Sequence, residues 1–136
     1  MPLVAIFKQI LFLLFLYFGS LAAAQNQAEL NAEALKSYKK ADMELNKIYQ
    51  QIQKEYISDT VFLKNLKASQ RTWITFRDAE LKMKYPETDP TAYGTSHSMC
   101  LSIYMEKLTK ERIKTLKVWL EGVKEGDICA GSVKVI

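Results

Sequence analysis

The sequence predicts an all-α protein: an up-down-up bundle of three long amphipathic helices followed by a short C-terminal tail. Three observations carry this prediction. Apolar residues recur at three- and four-residue spacing over 25–56, 60–83 and 98–121, and none of these stretches contains proline or glycine. From Gln25 onward the breaking residues are confined to Ser58-Asp59, to 85–95 and to the tail. No stretch shows the period-two alternation of a half-buried strand.

The first 24 residues stand apart. Lys8 precedes an apolar run from Ile10 to Phe18, followed by Gly19-Ser20 and Leu21-Ala22-Ala23-Ala24. A cation, a short apolar run and small residues in A-x-A form predict a secretory signal peptide cleaved after Ala24. The run is shorter than the ~20 residues a spanning helix needs, so no stable membrane insertion is expected after cleavage. Residues 25–136 are then one periplasmic or secreted domain. Of 19 basic residues against 15 acidic ones, one lies in the leader, leaving the mature domain only mildly basic. In an exported protein so small an excess does not argue for a nucleic-acid partner.

In the first helix Leu35, Tyr38, Asp42, Leu45, Asn46, Tyr49, Ile52 and Tyr56 form one inward stripe. Ser58-Asp59 ends it and supplies a side-chain oxygen to cap the next helix. The second helix, about 60–83, directs Phe62, Leu66, Trp73, Phe76 and Ala79 to the core and stops ahead of Pro86. Residues 85–95 form the one clear loop. Ser96 or Ser98 caps a third helix that buries Leu101, Tyr104, Met105, Leu108, Ile113, Leu116, Trp119 and Leu120 and ends at Gly122 or Gly126.

Polar residues share these inward stripes. Gln70, Trp73 and Arg77 fall on one helical face, Asp42 and Asn46 lie a turn apart, and Arg112 lies on the third helix. Buried polar groups must find partners, so these are read as a network between helices that fixes their register, in preference to a ligand site.

Little here supports catalysis. His97 is the sole histidine, there is no glycine-rich phosphate loop, and Asp78, Glu80, Glu106 and Glu111 sit among lysines as surface ion pairs. No enzyme activity, cofactor or metal site is expected. Cys100 and Cys129 are the only thiols, and an oxidising compartment favours their pairing. Helix geometry limits it: a disulfide requires the third helix to start late, break or stop before Gly122.

The chain resembles the LprI-type lysozyme-inhibitor family. The residues that carry the resemblance are Ala41-Asp42-x-x-Leu45-Asn46-x-x-Tyr49, the run from Ala68 to Glu80 centred on Gln70-Arg71-Thr72-Trp73-Ile74, Cys100, and Leu108-Thr109-x-x-Arg112. The match spans about 35–120, leaving 121–136 as a separate tail. Family members commonly carry a cysteine just after the Arg-Asp-Ala-Glu string, where this chain has Leu81. The resemblance thus implies that Cys100 lacks its usual partner and that Cys129 replaces it. It also implies binding and inhibition of lysozyme. The loop bearing Glu87 and Asp89, stiffened by Pro86 and Pro90 and flanked by Tyr85 and Tyr93, is the expected contact with lysozyme or another envelope protein. The alternative is a non-inhibitory accessory protein that docks to its partner through a helix face.

Overall fold

The computed structural model describes residues 2–89 and 91–136, with side chains described for 7–9 and, save residue 90, from Ala23 onward. Three helices follow in order, α1 Pro2–Glu55, α2 Thr60–Lys84 and α3 His97–Glu121. The apolar core of the expected leader, Ile10 to Phe18, lies outside the described side chains. Among the described residues no helix is long and apolar enough to cross a membrane.

At 1.5 Å per residue α1 is about 80 Å long, against about 37 Å for α2 and α3. Its C-terminal half meets the other helices. Asn31 Nδ2 donates to Thr95 O, Ser37 Oγ to Glu106, and Lys117 Nζ to Glu44. These pairs advance together along both chains, so α1 and α3 run parallel. The pairs Gln70–Arg112 and Glu80–Tyr104 advance oppositely, so α2 runs antiparallel between them in sequence. The expected up-down-up bundle is what forms.

Its core comprises Leu45, Ile48, Ile52, Leu66, Ile113 and Leu116, flanked by Tyr49, Phe62, Leu63, Trp73 and Trp119. The α1 stripe is turned from the expected one. Its buried residues are Ala41, Leu45, Ile48 and Ile52, while Leu35 is 40% exposed and Asn46 is at the surface. Small buried residues explain the turn. Ala41 on α1 and Ser102 and Thr109 on α3 let the two backbones approach closely. α2 stands further out and reaches the core through long side chains; Leu66 is its one buried residue. Its inward line is Phe62, Leu66, Gln70, Trp73 and Arg77, so Phe76 and Ala79, expected inward, are exposed. They fall beside that line rather than on it.

Local signals set the junctions. Asp59 caps α2 by accepting from Phe62 N at 2.8 Å. Gly122 ends α3 at φ 81° and ψ 176°, a conformation open essentially to glycine alone. The tail then folds back over the α1–α2 turn. Val123 pairs with Val135, Trp119 Nε1 donates to Ser132 Oγ, and Lys134 Nζ reaches Glu55 at 2.8 Å. Tyr56 is the pivot: its hydroxyl donates to Trp119 O and accepts from Lys134 N–H, both at 3.0 Å.

The Cys100–Cys129 disulfide does not form; both thiols are free. α3 runs unbroken from His97 to Glu121, which puts about 32 Å of helix between Cys100 and the start of the tail. The tail carries Cys129 at the far end of the bundle. A disulfide needs Cα atoms about 6 Å apart.

Candidate functional site

The 85–95 loop closes the end of the bundle where α2 meets α3. Its two carboxylates are solvent-facing, and no lysine or arginine lies between Tyr85 and His97. Tyr85 and Tyr93 point the other way. Their rings meet edge-on at 5.3 Å, and both pack on His97, Tyr85 edge-on at 4.8 Å and Tyr93 stacked at 4.7 Å. The tyrosines expected to flank the loop as contact residues are therefore half-buried props beneath it. Burial pushes the Tyr85 hydroxyl above its ordinary pKa. His97 Nδ1 is buried without a partner among the described residues, so the imidazole serves here as a ring to pack on.

Hydrogen bonds make the loop a defined shape. Glu87 N–H donates to Tyr93 Oη at 2.9 Å. Asp89 Oδ1 accepts from Thr91 N–H at 2.8 Å and Thr91 Oγ1 at 2.7 Å, and these bonds hold its carboxyl below the usual range. Such an Asx turn lets the carboxylate order its own backbone. Gly94, at φ 72°, turns the chain into α3. Pro90 lies outside the described residues. At the base of the loop Thr95 borders a recess shared with Ala24, Gln27 and Asn31 of α1.

The polar residues expected to form one network divide into three groups. Asp42 accepts from Asn46 Nδ2 at 3.3 Å on the α1 surface. Arg77 donates through Nε and Nη2 to Asp78, at 2.9 and 2.8 Å, while its Cζ lies 5.4 Å from the Trp73 ring centroid. The pair Gln70–Arg112 alone bridges two helices, with Nε to Gln70 Oε1 at 3.0 Å. Sequence reasoning missed its third member, Ser69, whose hydroxyl accepts from Arg112 Nη2 at 2.9 Å. Both acceptors are neutral, and Arg112 makes no ion pair among the described residues. Burial lowers its pKa.

A second feature had no signal in the sequence. Between α2, α3 and the tail lies a cavity of about 490 Å³ walled by Phe62, Leu66, Leu116 and Trp119. Its signal would have been the fold of the tail, which helical periodicity does not carry. Among the described residues no three His, Cys, Asp or Glu side chains gather as metal ligands.

No curated protein and no solved structure matches the chain significantly. One family does: its sequence model, described as "Lysozyme inhibitor LprI", matches residues 20–116. That span takes in α1 from just ahead of the bundle, all of α2, the loop and α3 to Leu116. With residues 20–116 of its 136 matched, the chain is thus a member of the LprI lysozyme-inhibitor family.

Proposed function

We propose that this protein is an exported, non-enzymatic binding protein that inhibits lysozyme through the 85–95 loop. The observation that supports it best is the acidic pair on a braced loop. Glu87 and Asp89 are exposed, while Glu87 N–H is bonded to Tyr93 Oη and the rings of Tyr85, Tyr93 and His97 pack together beneath the loop. A pre-ordered loop loses little entropy on docking. Animal lysozymes are basic, and so is this chain at a formal net charge of +4. Attraction must then come from the local acidic element rather than from the field of the whole molecule.

The test is lysis of bacterial cell walls by lysozyme with the purified protein added. Inhibition is expected at micromolar excess, and the double substitution E87K/D89K should weaken it at least ten-fold. No slowing of lysis by the wild-type protein removes the reading. A non-inhibitory role as a docking protein is the second reading. It is favoured by Phe76 and Met83, seven residues apart on α2 and 50% and 69% exposed. Crosslinking in the native envelope separates the two: F76S/M83S should abolish capture under the second reading and leave lysozyme inhibition intact under the first.

A further inference from the structure

We propose that the cavity between α2, α3 and the tail binds a small amphipathic carboxylate of the fatty-acid type, its carboxylate on Arg112 and its alkyl chain along Phe62, Leu66, Leu116 and Trp119. The site lies at the opposite end of the bundle from the acidic loop and is independent of the reading above.

The first argument is charge. A guanidinium has five N–H donors. Arg112 commits two of its nitrogens, Nε and Nη2, to Gln70 and Ser69, both neutral. Among the described residues Nη1 has no partner and no carboxylate pairs with the cation. Gln70 and Ser69 hold the planar group in a fixed orientation. An arginine so held is suited to a carboxylate, which takes two parallel N–H bonds.

The second argument is the shape of the remaining walls. The cavity, about 490 Å³, is within the range of small-ligand sites; its exposed lining surface is mostly apolar, although five of its ten lining residues are polar or charged. One of these, Asp59, is itself a carboxylate. It lies ten residues before Ser69 on α2, about 15 Å along the helix, and its oxygen is engaged by the Phe62 N–H. The cavity therefore has a cationic end and an anionic end, with an apolar strip between them. That polarity orients a one-headed anion with its tail away from Arg112.

The third argument is the tail. Ser132 lines the cavity and accepts from Trp119 Nε1 at 3.0 Å, so the tail fixes the indole as a wall. Trp119 and Ser132 both lie beyond the family match, which ends at Leu116. The cavity is to that extent a property of this chain.

Dodecanoate and dodecanol are the probes, titrated into the W73F protein so that Trp119 is the only indole reporting. Saturable one-to-one binding of dodecanoate in the micromolar range is expected, with dodecanol at least ten-fold weaker. R112Q should lower affinity for the acid by about 10- to 100-fold and leave the alcohol unchanged, the loss expected for a charge-assisted hydrogen bond. N65W alters an exposed residue at the cavity rim and should block both ligands without unfolding the bundle. Three results would overturn the proposal: no saturable response, equal affinity for acid and alcohol in the W73F protein, or unchanged dodecanoate binding in N65W. The acid-to-alcohol comparison decides the matter even if R112Q fails to fold.

Discussion

Tyr56→Phe isolates what the tail contributes. The substitution keeps the ring, which packs on Phe62 at 4.5 Å, and removes only the hydroxyl. Two hydrogen bonds go with it, one to Trp119 O and one from Lys134 N–H. A neutral hydrogen bond contributes about 1 kcal/mol net. Tyr56 is half-buried, so water partly replaces the lost partner, and about 1–2 kcal/mol in total is expected. With a urea slope of about 2 kcal/mol/M, the midpoint falls by about 0.5–1 M. The informative comparison is the same substitution in a protein ending at Gly122. There the Lys134 bond is already absent, so the cost should fall to about half, a coupling of about 0.5–1 kcal/mol. Urea unfolding followed by far-ultraviolet circular dichroism measures all four proteins. An equal cost of Tyr56→Phe in both backgrounds would refute the claim that this hydroxyl pins the tail.

Two further outcomes follow from the same geometry. Gly122→Ala should destabilise by about 1–3 kcal/mol, because the site is at φ 81° and a Cβ there would lie 2.9 Å from Lys134 O and 2.8 Å from Ile136 Cγ2. Amide exchange should then quicken at Val123 and Ile136 while the α1–α3 core stays protected. Acid should loosen the α1–α3 contact. Glu106 is held below the usual carboxylate range by Lys110 and then Ser37, and Glu44 by Lys117. A carboxyl whose folded pKa is lowered contributes stability that is full above its unfolded value of about 4.5 and is lost as pH falls through the folded one. Urea midpoints should therefore hold steady from neutral pH to about 5 and decline below it, less steeply in E106Q; identical declines would contradict the assignment.

What the residues alone determined was local. The recurrence of apolar side chains, a cap within Ser58-Asp59, the stop ahead of Pro86 and a glycine end to α3 at Gly122 or Gly126 each depend on near neighbours in the chain; the structure selects Asp59 and Gly122. The family string around Gln70 and Trp73 was equally legible, as was the acidic loop. Tertiary structure decided which face of each helix turns inward. Small Ala41, Ser102 and Thr109 bring α1 and α3 together, leaving α2 to reach in through long side chains. That spacing exposes Phe76 and gives Arg112 to Gln70 and Ser69, while Arg77 stays on α2 with Asp78. It also separates Cys100 from Cys129, because an unbroken α3 cannot double back. Periodicity states that a helix has an inner side, but the partner opposite each residue depends on interhelical distance and register, which arise only when the whole chain packs.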